Sequence, residues 1–150
     1  MKKINFSSPV INLDKSSKLF KIAIKNNFPN EGSLTNIFEN KIKKILNVKY
    51  LIATTNGTSA IYLALKANGI GYGDEVIIPN ITFPATANAV HMTGAKVVLA
   101  DISKNNLLIN LNSLKKNISK KTKAIIPVHI SGRGNNIQEI MKIAKKKKLK

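Results

Sequence analysis

The sequence has no cysteine and no tryptophan, and its 150 residues carry only 7 acidic side chains against 25 basic ones. Without cysteine, neither a disulfide framework nor a thiolate metal site is available. Long hydrophobic runs are missing too. The longest uncharged stretch, Val76 to Ala95, is interrupted by Pro79, Asn80, Pro84, Asn88 and His91, which a bilayer would not accept as a span. No apolar run follows Met1-Lys2-Lys3, so the opening does not read as a signal peptide. With 43% hydrophobic residues there is enough apolar material to bury the core of one domain, and a cytoplasmic location is expected.

Arginine is nearly as scarce. Arg133 is the single one, so the formal charge of +18 is a lysine charge. Such a surplus is the first mark of a nucleic-acid or membrane-surface partner. Forked recognition of phosphate favours arginine, however, and no reader motif or interleaving of aromatic and basic residues accompanies the lysines. They read as solvated faces. No nucleic-acid partner and no membrane partner is expected, and a basic binding module is the least favoured reading.

What is present is an alternation of two periods. Apolar residues at Leu34, Ile37, Phe38, Ile42, Ile45 and Leu46 are spaced three and four apart, which predicts an amphipathic helix, with Ser33 as its cap after Gly32. Tyr50 to Thr54 reads as a short buried strand. Asn56-Gly57-Thr58-Ser59 then opens a second helix, closed by Gly69 in the left-handed conformation. Strands are predicted at Glu75 to Ile78, ended by Pro79, at Lys96 to Ala100, and at Ala124 to Val128. Helices are predicted from Pro84 to Met92, with Gly94 ending it, from Asn112 to Asn117, and from Asn135-Asn136 onward with Ile137, Ile140, Met141 and Ala144 on one face. Strands apolar on both faces, joined by helical crossovers, imply an α/β fold: a mostly parallel sheet with helices on both faces.

In such a sheet ligands bind at the carboxyl ends of the strands. Two loops there have unusual content. In the first, Gly57 permits a tight turn while Thr58 and Ser59 offer hydroxyls and N–H groups at a helix start, where the helix dipole favours an anion; a plain polar N-cap is the competing reading. In the second, Phe83 stands where a loop becomes a helix and could stack on a flat ring, although a lone phenylalanine is more often core. His129 follows the strand ending at Val128 and reads as a structural, hydrogen-bonded histidine before a ligand contact. With His91 the only other histidine, no metal site is expected. Neither the P-loop spacing nor G-x-G-x-x-G occurs, and Gly57-Thr58-Ser59-Ala60-Ile61 is not a nucleophile elbow.

Taken in order, these segments resemble the DegT/DnrJ/EryC1/StrS aminotransferases, a family of pyridoxal-phosphate enzymes acting on nucleotide-linked keto-sugars. The resemblance runs through Gly32 and the following helix, Asn56-Gly57-Thr58-Ser59-Ala60, Gly69 to Pro79, Thr82-Phe83-Pro84-Ala85-Thr86-Ala87-Asn88-Ala89, Gly94-Ala95-Lys96 and Thr122 to His129. It implies pyridoxal 5'-phosphate as cofactor, with Gly57, Thr58 and Ser59 on its phosphate and Phe83 on its ring. It further implies the N-terminal half of the large domain of a fold-type I transferase, divided into an N-terminal arm over 1–30 and a partial cofactor-binding domain over 31–150. Partners implied are an amino-acid donor, expected to be glutamate, a keto-sugar nucleotide acceptor, and a second copy in a homodimer.

The family's pyridinium-pairing aspartate and Schiff-base lysine would both fall beyond Lys150, so no catalytic residue is assigned. The chain reads as a truncated piece, inactive in transamination and marginally stable through its uncovered sheet edge. A sugar dehydratase of the same family, with histidine in place of that lysine, is the alternative.

Overall fold

A computed structural model describes residues 10–25 and 32–150. The expected N-terminal arm over 1–30 therefore lies partly outside the described residues. The molecule divides into two compact units, Met1–Ala53 and Thr54–Lys150.

In the first unit, α1 (Leu13–Lys25) starts where the side chain of Asn12 accepts from the N–H of Lys15 at 2.9 Å. Helix α2 (Ser33–Leu46) follows the predicted periodicity. Its N-cap position is held by Gly32, and Ser33 is the first helical residue instead of the cap. Asn47 ends α2 in the left-handed conformation (φ 51°), which asparagine tolerates because its short polar side chain bonds locally. Neither helix buries a residue completely, and Phe20, Phe38, Ile45 and Leu46 stay exposed. Tyr50 to Thr54 does not form the expected strand. A strand exists through its ladder, and here the N–H of Ala53 donates to the Glu39 carboxylate at 2.7 Å while Tyr50 and Ile52 are exposed.

The second unit begins with α3 (Gly57–Ala67). It closes as the sequence predicts: Gly69 takes φ 74°, its N–H donates to Lys66, and the N–H of Ile70 reaches back to Leu65. A turn from Gly71 to Asp74, tied by the Asp74 carboxylate accepting from the Gly71 N–H at 3.0 Å, leads into β1 (Glu75–Pro79). Then come α4 (Pro84–Met92), β2 (Lys96–Ala100), α5 (Leu111–Asn117), β3 (Thr122–Ile125), one 3-10 turn (Ile130–Gly132) and α6 (Ile137–Lys147). Pro79 is paired with Ala100 at the end of β1 instead of lying past it. Strand β3 starts two residues earlier than predicted and stops at Ile125. Ile126 still donates to Ile77, but Pro127 has no N–H to carry the ladder on.

The sheet order is β2-β1-β3, and both pairings are parallel. Alternation of side groups along β1 divides the core in two. Val76 and Ile78 face one side, with Leu65 of α3 and Val90 of α4, whereas Ile77 faces the other, with Leu114 of α5 and Ile140 and Ala144 of α6. The step from β1 to β2 and the step from β2 past β1 to β3 run in opposite directions. A right-handed crossover in each case demands helices on opposite faces, which is where α4 and α5 lie. Burial is strongest in β1, where Val76, Ile77 and Ile78 are at most 1% exposed. Each such residue contributes about 1.5 to 3 kcal/mol relative to an exposed one.

Met141, expected on the buried face of α6, is exposed; the face turns on Ile140 and Ala144, with Ile143 beside them. After α6 the backbone bends back through Lys148 (φ 55°). Lys150 then pairs beside β3, its N–H donating to Lys123 at 2.9 Å and its carbonyl accepting from Ile125 at 3.0 Å. Lys150 thus bonds to β3 in the parallel pattern, while Leu149 still donates to Ala144 of α6. Among the described residues, no helix is long and apolar enough to cross a membrane.

Candidate functional site

Topology brings the predicted residues to one edge. Helix α3 ends where β1 begins, so its first turn lies at the opposite edge, beside the carboxyl ends of the strands. Helix α4 starts from that same edge and packs beside α3 on one face of the sheet. Gly57, Thr58, Ser59 and Phe83 are thereby placed at one end of the second unit. Asn80 after β1, Asp101 after β2 and His129 beyond β3 lie along the same edge.

The first turn of α3 is arranged around Asn56. Its side-chain oxygen accepts from the N–H of Ser59 at 2.9 Å, and its backbone carbonyl accepts from Ala60 at 3.1 Å. Ser59 therefore does not offer a free backbone N–H, as the sequence suggested it would. The N–H groups of Gly57 and Thr58 have no acceptor among the described residues, since the first turn of a helix provides none. Beside them the Ser59 hydroxyl accepts from Thr55 at 3.3 Å, which leaves its own proton available. A Cβ built on Gly57 would meet nothing within 4 Å, so the approach is open. Two N–H donors, a hydroxyl and the positive end of an 11-residue helix meet there, and no carboxylate among the described residues bonds to them.

Phe83 is the N-cap residue of α4, directly before Pro84, whose fixed φ suits a first helical turn. Its carbonyl accepts from Thr86 at 3.0 Å, and the Thr82 and Thr86 hydroxyls are 2.8 Å apart, so backbone and loop are fastened. The ring is 77% exposed. A phenylalanine anchored by its backbone and left bare is not a core residue.

His129 is engaged locally: its Nδ1 accepts from the N–H of Asn135 at 3.0 Å, and the Asn135 amide donates to Val128 at 2.7 Å. The structural reading of this histidine is the one observed. Asn56 and Asn135 are the residues whose importance the sequence reading missed. The signal for Asn56 was its place three residues before Ser59 at a helix start; Asn135 carried no comparable signal. Two clefts, of about 540 and 680 Å³, open around Asn110 and Asn112 near the start of α5, the larger reaching Asn80 and Asp101, and neither is lined by Gly57, Thr58, Ser59 or Phe83.

A parallel α/β sheet with two unpaired N–H groups at a helix start and an exposed aromatic along its carboxyl edge has the layout in which doubly wound proteins bind ligands. The DegT/DnrJ/EryC1/StrS aminotransferase family model matches residues 12–150, and the chain belongs to that family. It is similar to the GDP-perosamine synthase of Caulobacter vibrioides, 41% identical over 112 residues, covering 75% of this chain and 30% of that protein. It is also similar to 3-oxo-glucose-6-phosphate:glutamate aminotransferase of Bacillus subtilis, 40% identical over 113 residues, covering 75% of this chain and 26% of that one. Among solved structures, NtdA from Bacillus subtilis with bound cofactor PMP superposes with a TM-score of 0.81 at 31% identity, over 99% of this chain and 36% of its own. The chain spans about a third of the length of the curated relatives it matches. Its fold is the N-terminal part of the fold-type I large domain.

Proposed function

We propose that this chain is the cofactor-holding portion of a pyridoxal-phosphate-dependent aminotransferase that moves an amino group from glutamate to a keto-sugar nucleotide. The observation that carries the reading is the pair of unpaired N–H groups on Gly57 and Thr58 at the start of α3. The residues suit the cofactor: a phosphate dianion fits that helix start, and Phe83 offers an apolar face to a flat ring at the same edge. When bound, pyridoxal 5'-phosphate supplies an electron-accepting ring that stabilises charge at the carbon bearing the amino group. The protein's own share is positional. Gly57, Thr58 and Ser59 fix the phosphate, and Phe83 covers one face of the ring and excludes water from it.

Donor and acceptor follow from the relatives, one named for glutamate and one for a GDP-sugar product. We further read the protein as cytoplasmic and homodimeric, with residues 1–30 as an arm and 31–150 as part of the large domain. The exposed Phe38, Ile45 and Leu46 of α2 supply the apolar surface that a second copy would cover.

The test is a titration of the purified protein with pyridoxal 5'-phosphate and, separately, with inorganic phosphate, followed by protein fluorescence and equilibrium dialysis. Ser59→Ala is expected to weaken both, whereas Phe83→Ala weakens pyridoxal 5'-phosphate alone. Equal affinities in wild type and both variants would refute the cradle. The 150-residue chain is expected not to transaminate glutamate with a keto-sugar nucleotide by itself, and turnover would overturn that part of the reading.

A further inference from the structure

The sequence contains two Asn-Gly pairs, Asn56-Gly57 and Asn68-Gly69, and the fold engages the glycine N–H of the second but not of the first. At the second, the Asn68 amide donates to the carbonyl of Ala64 at 2.9 Å and the Gly69 N–H donates to Lys66 at 2.9 Å. Both groups that would have to react with each other are held elsewhere. At the first, the Asn56 amide reaches only the exposed Thr55 hydroxyl at 3.3 Å and the Gly57 N–H has no acceptor among the described residues; both pairs are exposed, and a Cβ built on either glycine would meet nothing within 4 Å.

From this contrast we infer that Asn56-Gly57 is a site of spontaneous backbone modification, a deamidation through a cyclic imide, from which the fold shields Asn68-Gly69. The reaction needs nothing but water. The Gly57 nitrogen attacks Cγ of Asn56, so a new carbon–nitrogen bond forms, and the bond from Cγ to Nδ2 breaks. Ammonia leaves, taking up the proton that the Gly57 nitrogen gives up. Water then opens the five-membered imide at either carbonyl, giving aspartate or isoaspartate, with no change of oxidation state.

Three features of the site promote this chemistry. The Ser59 N–H already donates to the oxygen that gains negative charge during the attack, at 2.9 Å. The positive end of α3 favours loss of the Gly57 amide proton. Ring closure requires ψ of Asn56 to rotate from 170° and the bond from the Ala60 N–H to its carbonyl to open, and a glycine with no Cβ adds the least steric barrier to that rotation. The consequence falls on the cradle. A neutral cap becomes a carboxylate, and isoaspartate also lengthens the backbone by one carbon, at the place where the Gly57 and Thr58 N–H groups await an anion.

Incubation of the purified protein at mildly alkaline pH, with peptide mapping over time, tests the proposal. In the folded protein, aspartate and isoaspartate are expected to accumulate severalfold faster at position 56 than at 68; in guanidinium chloride the two rates are expected to converge. Gly57→Ala, which the empty space tolerates, is expected to slow position 56 severalfold and to leave 68 unchanged. Equal rates in the folded protein, faster reaction at 68, or a Gly57→Ala variant that reacts at 56 as fast as wild type would each overturn the assignment.

Discussion

The backbone N–H of Asn135 donates to Nδ1 of His129 at 3.0 Å, and the Asn135 side-chain amide fastens the same turn to the carbonyl of Val128 at 2.7 Å. An accepting Nδ1 carries no proton, so the neutral ring holds its proton on Nε2. Nitrogen chemical shifts of labelled His129 are expected to report the Nε2–H form. A dominant Nδ1–H form would contradict the geometry. His129→Ala strands the Asn135 N–H and should cost about 1 kcal/mol, read from denaturant unfolding.

Asn56 is a cap and a neighbour of the proposed phosphate site at once, and substitution separates the two roles. Asn56→Ala removes the acceptor for Ser59 and is expected to destabilise the fold by about 1 kcal/mol. Asn56→Asp keeps the cap and suits the helix dipole, so stability holds or rises, while the added charge weakens phosphate binding. Parallel unfolding and phosphate-titration curves check both, and tighter phosphate binding by Asn56→Asp would count against the cradle.

Ile77 and Phe83 are large apolar residues with opposite duties. Ile77 is fully buried between β1 and α6, and Ile77→Ala is expected to cost about 2 to 5 kcal/mol. Phe83→Ala, at a bare position, should change stability by no more than about 0.5 kcal/mol. Guanidinium midpoints measure the contrast. Comparable losses would mean that the Phe83 ring is packed after all.

Lys142 stands 2.7 Å from the Glu139 carboxylate at the start of α6. That hydrogen bond first, and the lysine's charge second, hold Glu139 below its ordinary value of 4.5. A lowered folded value means the stabilisation is present above the unfolded value and is lost as pH falls through the folded one. The pair is open to solvent, so the effect is small. Unfolding midpoints of wild type and Glu139→Gln are expected to differ near neutrality and to coincide in acid. A gap that widens on acidification would reverse the sign.

Most of the second unit is legible because its strands and helices announce themselves in different periods. Val76, Ile77 and Ile78 form a continuous β-branched run between a glycine turn and a proline, and Gly69 and Gly94 mark helix ends that do take positive φ. Tyr50 to Thr54 has the same apolar look, yet nothing in a string of residues tells whether a ladder partner is near. The Ala53 N–H bonds to Glu39 instead. The limits of β3 slipped for a related reason: a bulge between Glu75 and Val76 draws Thr122 into the ladder, and bulges leave no mark in hydrophobic pattern. At the cradle, spacing pointed to Gly57, Thr58 and Ser59 as a group. Which N–H was already spent depended on a side-chain rotamer of Asn56, which pattern does not encode.

The position of β1 between β2 and β3 also sets an order of events in time. Joining β1 to β2 closes a short loop through α4, whereas β3 must travel past β2 and α5 to reach the other side of β1, a longer excursion with a larger entropic toll. The β1–α4–β2 segment is therefore expected to organise first and the β3–α6 segment to dock upon it. Stopped-flow measurements should show Val90→Ala chiefly retarding refolding and Ile140→Ala chiefly hastening unfolding. The strand buried on both faces is the template on which the rest of this unit is assembled.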